Sequence, residues 1–212
     1  MAQLKLVFKL KHFRKKGSEL SQQNEQEFMK VRIEKTASLR QKGIDPYPTN
    51  YKRTHTSKKA EEAFESAEKS NTEFNKIIKV AGRIMGRRGM GKASFIDLSD
   101  TDGRIQIIMR SNVLNERYEI LNDLDIGDWI GAEGTLFRTR TGQITLQVES
   151  FSILCKSLRP LPEKWHGLTD LETRFRQRYL DLISNEDAVK TAKKRSLLVS
   201  TIRQFMSNRG FI

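Results

Sequence analysis

The sequence predicts a mixed β and α fold: a five-stranded barrel over residues 77–157, helices before it, and the first helices of a further domain after it. Three observations predict this. Between residues 77 and 154, apolar and polar residues alternate in short runs, the mark of half-buried strands. Turn residues punctuate those runs at 86–91, 100–103 and 141–142. Beyond them, Leu158-Arg159-Pro160-Leu161-Pro162 suits neither regular helix nor central strand, so it marks a domain boundary.

The elements follow in order. Residues 1–26 form a basic arm. Its first sixteen positions carry Lys5, Lys9, Lys11, Arg14, Lys15 and Lys16 and no acid, with Leu4, Leu6, Phe8 and Leu10 interleaved. A disordered tail is the expectation. An RNA-grasping arm, a membrane-surface segment, an organelle-targeting peptide and an accident of the start site are the alternatives. Residues 27–76 should hold two helices packing on the barrel or on a partner subunit. The first spans 27–42, with Phe28, Val31, Ala37 and Leu39 as a partial apolar stripe and Gly43 as its cap. The second spans 57–69, with Ala60, Ala63, Phe64 and Ala67 on one face.

The strands are expected at 78–85, 93–98, 104–110, 128–138 and 143–154, with a helix over 112–123 after the third. Strand-strand-strand-helix-strand-strand in this length suits an oligonucleotide-binding (OB) barrel. A half-open sandwich of the same elements is the rival. Residues 158–212 should start a second domain. Thr169-Asp170-Leu171-Glu172 reads as a capping box, with Thr169 accepting from the amide of Glu172, and opens a helix to about residue 183. A longer helix should span 187–209, with Val189, Ala192, Val199, Ile202 and Met206 on one side, and end at Gly210. Phe211-Ile212 looks like a strand beginning, so the chain is expected to be a fragment or to complete its core on another molecule.

The polar side of the strands carries the functional signal. If Ile78, Val80 and Ile84 point inward, Lys79, Arg83 and Arg87 point outward. Phe95 is out of phase with Ile96 and Leu98, and Gln106 with Ile105 and Ile107, so both join the outward face. An exposed ring can stack on a base, an amide can read a base edge, and cations can hold phosphates. Arg83, Arg87, Arg88 and Lys92 cluster on the first strand and its loop, although charge over the whole barrel is nearly balanced. A slip of one residue would reverse every facing, leaving Phe95 in an ordinary core and the arginines on a solvated face.

Composition narrows the partners. A formal net charge of +13 over 212 residues points to an anionic partner, most often nucleic acid. The single cysteine, Cys155, excludes a disulfide framework and fits a reducing compartment. His12, His55 and His166 lie apart with no cysteines beside them, so no metal site is expected. No apolar run reaches transmembrane length, and no membrane partner is expected.

Four segments resemble the bacterial-type class II lysyl-tRNA synthetase family: AGRIMGRRGMGKASFIDLSDTDGRIQ, GDWIGAEGTLFRTRTGQ, LRPLPEKWHGLTDLETRFRQRYLDLI and IRQFMSNRGFI. The resemblance covers roughly residues 27–212. RPLPEKWHGL followed by RFRQRYLDLI separates the lysyl family from its aspartyl and asparaginyl relatives, which share only the barrel pattern. It implies an OB-fold anticodon-binding domain followed by a class II catalytic domain. Its anticodon site falls on Arg88, Phe95 and Gln106. Phe95 would stack on the central uridine of the tRNA(Lys) anticodon loop, and Arg88 and Gln106 would contact base edges and backbone. Arg88 sits one residue off the Arg83–Arg87 phase, which requires a bulge near Gly86 or Gly89. The family's Thr-Gly-Glu turn is here Thr141-Gly142-Gln143, so Gln143 replaces a carboxylate with an amide that donates as well as accepts.

The resemblance also implies that residues up to 210 begin motif 1, the family's homodimer interface. Motifs 2 and 3 are absent, so no residue here is a candidate catalyst. ATP and Mg2+ are implied for the full-length enzyme and neither for this chain, and the location implied is the cytoplasm. The alternative is a free-standing, single-stranded nucleic-acid-binding or regulatory OB-fold protein. A protein-bridging role would need the Phe95 face covered by another chain.

Overall fold

The structure, a computed structural model, describes residues 25–162, 168 and 170–211. They divide into two units, one ending at Pro160 and one running from Leu161. The basic arm expected over residues 1–16 lies outside the described residues.

The strands of the first unit are β1 Ile78–Met90, β2 Ala93–Ser99, β3 Arg104–Arg110, β4 Trp129–Arg138 and β5 Ile144–Cys155. They close into a barrel in the order β1-β2-β3-β5-β4, with β1 pairing both β2 and β4 and only β3–β5 parallel. Ile78, Val80, Ile84, Ile96, Leu98, Ile107, Met109, Ile130, Leu146 and Val148 are fully buried, as the alternation requires. Ser94 shares their phase and is buried as well; its hydroxyl lies 3.2 Å from that of Tyr118.

β1 runs further than the sequence predicts. Residues 86–90 are strand, not turn, because they pair with residues 93–97 of β2. The register shifts between Ile84 and Gly86, and this is the bulge that the phase of Arg88 requires. The predicted helix over 112–123 is also broken. A short helix, α3 (Ser111–Leu114), gives way to a 310 helix, Asn115–Asp123. Asn115 stands at φ 50°, a left-handed conformation that asparagine tolerates better than most residues. Leu114, Leu121 and Leu124 still reach the core.

Two helices pack on the barrel: α1 over residues 25–41 and α2 Ser57–Lys69. α1 begins inside the stretch predicted as arm. Its stripe is less buried than predicted: Leu39 is enclosed, but Phe28 and Val31 are exposed. Charge anchors it instead. Arg32 donates to the carbonyls of Ser157 at 2.6 Å and Ile126 at 3.1 Å, Lys35 pairs with Asp125 at 2.6 Å, and Lys42 pairs with Asp123 at 2.7 Å. Beneath them the fully buried Lys156 ammonium donates to the Asp123 carbonyl at 2.6 Å, to Asp125 at 2.9 Å and to Asp128.

α2 is tied to the β2–β3 turn by Asp100. Its carboxylate accepts from the amide and hydroxyl of Ser57, each at 2.7 Å, and from the amides of Asp102 and Gly103. Burial pushes the Asp100 and Asp125 carboxyls up, but hydrogen bonds from Ser57 and from Lys35 and Lys156 outweigh it, and both end below the usual aspartate value. A depressed folded-state pKa contributes stability above the unfolded value of about 3.9 and loses it as pH falls through the folded value. The urea midpoint should therefore hold level from neutral pH down to about pH 5 and fall below it. A midpoint that rises on acidification would contradict these ionised networks.

In the second unit the predicted capping box is displaced by one residue. Asp170, not Thr169, caps α4 (Leu171–Arg176), its side chain accepting from the Thr173 amide at 2.8 Å. Thr169 itself lies outside the described residues. The helix predicted to continue to residue 183 breaks at Gln177 (φ −111°, ψ 56°), and α5 (Arg178–Ser184) follows. Asp181, buried, accepts from Arg174 and Arg178 on either side of that break. α6 spans Glu186–Ser207, capped by Asn185, and Gly210 follows at φ 83°. Leu197, Leu198, Ile202 and Phe205 of α6 are exposed.

Candidate nucleic-acid interface

The outer face of β1, β2, β3 and β5 assembles the site in cross-strand rows. One row runs Arg88, Phe95, Ile108, Gln147. The next runs Gly86, Asp97, Gln106, Thr145. Residues directly opposite on neighbouring strands share a face and lie side by side. Phe95 is half-buried and faces outward, as its phase predicts. Arg88 stands opposite it because the bulge at Met85 turns β1 by one residue. Its guanidinium is mostly exposed and reaches Asp97 at 3.3 Å. An ion pair so open to water is weak, so Asp97 can hold the arginine near the ring and release it to a phosphate or base edge.

The same bulge moves Arg87. The sequence places it outward with Arg83, but it pairs with inward-facing Ile96 and donates to the carbonyl of Leu121. Alternation breaks wherever a strand carries an extra residue. Arg83 does face outward, but away from the Phe95 row. It pairs with Ser99 and Trp129, donates to the Gly127 carbonyl at 2.9 Å and lies 5.2 Å from the Trp129 ring centre. Burial lowers its pKa from the ordinary arginine value. Lys92 is exposed at the tip of the β1–β2 hairpin.

Gln106 departs from the sequence reading in a different way. Its phase is outward, opposite Asp97, yet the residue is only 6% exposed. Thr145, fully buried, donates its hydroxyl to Gln106 Oε1 at 3.0 Å. β3 is enclosed on both faces here: Ile105, Gln106, Ile107, Ile108 and Met109 in succession are buried. Gln143 is exposed in the β4–β5 turn. That turn is held by Arg138, which donates to the Gly142 carbonyl at 2.6 Å and forms a two-pronged pair with Glu68 of α2.

Arg88, Phe95 and Gln106 thus come together on one face, Lys92 and Gln143 sit at two hairpin tips, and Arg83 and Arg87 serve backbone carbonyls elsewhere. Sequence reasoning missed the parts played by Asp97, Thr145 and Arg138, which hold the predicted residues in place. Thr145 had a signal: it is the polar residue between Ile144 and Leu146 on the strand after Gln143. A cavity of about 230 Å³, lined in part by Ile44, Pro48, Arg117, Ile120 and Phe151, lies elsewhere on this unit and includes none of the candidate residues.

Among known proteins, residues 78–154 match the tRNA anti-codon family, an OB-fold nucleic acid binding domain. The lysine–tRNA ligase of Carboxydothermus hydrogenoformans is 50% identical over 187 residues, covering 88% of this chain and 37% of that protein. That of Dehalococcoides mccartyi is 51% identical over 182 residues, 85% of this chain and 36% of that protein. That of Enterococcus faecalis is 44% identical over 186 residues, 87% and 37%. The chain therefore spans a little over a third of the length of these curated relatives.

Proposed function

The chain carries an anticodon-binding OB-fold domain homologous to the N-terminal part of the lysine–tRNA ligases, and from that premise we propose that its outer barrel face reads the anticodon loop of a lysine tRNA. The observation that carries this reading is the row placing exposed Arg88 directly opposite Phe95, with Gln106 in the next row. Phe95 offers a stacking surface for one unpaired base. Gln106 offers an amide to its edge. Arg88 and Lys92 offer charge to the backbone on either side. Gln143, at the far hairpin tip, meets a neighbouring base with an amide that can donate or accept.

In a ligase of the relatives' full length, a module of this kind delivers the tRNA to a catalytic domain that attaches lysine using ATP and magnesium, in the cytoplasm. No residue of this chain is assigned to that chemistry. The exposed apolar residues of α6 supply part of a homodimer contact in that larger assembly.

Salt separates the cations into classes. For single strands, log affinity falls against log salt by roughly 0.7 per phosphate neutralised. Arg88→Ala and Lys92→Ala should each flatten that slope for an RNA hairpin by about this amount. Lys30→Ala, on exposed α1, should leave it unchanged. Equal flattening by all three would mean diffuse attraction with no site.

A further inference from the structure

We propose that Thr145 is the positioning residue that makes Gln106 a hydrogen-bond donor, and that it thereby selects a base bearing a carbonyl where cytosine bears an amino group. The inference rests on the anticodon-loop reading above and extends it from where a base binds to which base is accepted.

An amide side chain has two faces of opposite meaning: the oxygen accepts and the nitrogen donates. The two are nearly equal in shape, and the torsion that exchanges them is broad and roughly two-fold. An unrestrained glutamine can therefore satisfy a carbonyl or an amino group by turning over, and it discriminates poorly. Gln106 is restrained. It is 6% exposed, and its Oε1 accepts from the Thr145 hydroxyl at 3.0 Å. Thr145 is fully buried, in register with Gln106 across the parallel β3–β5 pair. The same hydroxyl is 3.4 Å from the Gln143 carbonyl, a longer and weaker alternative.

With Oε1 engaged on the β5 side, Nε2 is the polar atom left for a ligand. It can only donate. A base next to Phe95 must then offer an acceptor, as uracil does with its exocyclic carbonyls. Cytosine carries an amino group where uracil carries O4, and an unprotonated N3 where uracil carries N3–H, so it sets donor against donor where Nε2 meets position 4 of the ring. Turning the amide over would make the Thr145 oxygen accept from Nε2 and send its hydroxyl hydrogen to the Gln143 carbonyl at 3.4 Å, a longer and weaker bond than the one given up at 3.0 Å.

The test uses the purified chain and two RNA hairpins, one with a UUU loop and one with UCU, read by fluorescence anisotropy. Thr145→Val and Thr145→Ala remove the hydroxyl at large and small volume, so failure of one to fold leaves the other. Thr145→Ser retains the hydroxyl. The expected result is that Val and Ala shrink the UUU-over-UCU preference roughly three- to tenfold, the worth of one hydrogen bond, and that Ser preserves it. If all variants weaken both hairpins in proportion and keep the ratio, Thr145 is only structural and the proposal is overturned, while the anticodon reading stands. If the unmodified chain shows no preference between hairpins, both fall together.

Discussion

Phe95→Ala lowers affinity for a UUU hairpin by about 1–3 kcal/mol, roughly five- to 150-fold, the range for loss of one base–aromatic stack. The ring is half-buried on the outer face, between Arg88 on β1 and Ile108 on β3. Its loss removes a flat surface that no neighbour can replace: Arg88 is engaged with Asp97, and Ile108 is aliphatic and buried. Because the substitution leaves the inward row of Ser94, Ile96 and Leu98 intact, the fold should survive, and circular dichroism and the melting midpoint verify this. Phe95→Trp should retain most of the affinity, since every base stacks on any aromatic plane. Unchanged binding by a folded Phe95→Ala chain would remove this face from consideration.

Lys156→Met acts on stability, through the buried cluster behind α1. Methionine keeps most of the length of the side chain and discards the charge. Asp128, itself fully buried, would then lose its cation, and Asp125 would keep only Lys35. Removing one partner of a buried pair typically destabilises by about 3–5 kcal/mol, because the other charge stays desolvated. Asp128 also accepts from the amides of Asp125 and Ser157 at 2.8 Å each, so disorder there spreads to the end of β5 and to the carbonyl of Ser157 that Arg32 holds. Urea unfolding measures the loss. Adding Asp128→Asn should recover part of it. A midpoint unchanged by Lys156→Met would mean that the ammonium is solvated.

Much of the barrel was legible because its first two strands each have one buried face. Ile78, Val80 and Ile84, then Ser94, Ile96 and Leu98, obey period two, and Phe95 faces outward for that reason alone. The bulge followed only from the family resemblance, which set Arg88 on that face against its phase. Legibility failed where a non-local event intervened. The extra residue at Met85 turned Arg87 inward, an effect no alternation rule contains. Gln106 and Ile108 are buried on what should have been a wet face, and the parallel β3–β5 pairing joins residues 39 apart in sequence for the Gln106–Thr145 bond. α1 misled for another reason. Beyond the enclosed Leu39 its attachment is polar, through Arg32 to carbonyls and through Lys35 and, just past its end, Lys42 to carboxylates, and amphipathic patterning does not register that. Phe28 and Val31 completed a stripe in the sequence that the fold leaves exposed.

The most direct measurement is anisotropy binding of the unmodified chain to hairpins differing only in the central loop base, UUU against UCU, from low to high salt. Affinity for both should fall with salt as phosphate contacts weaken, while the preference for UUU persists, since a base contact does not depend on counterion release. Affinities that remain equal at every salt concentration would contradict a base-reading face and reduce the barrel to a charged surface.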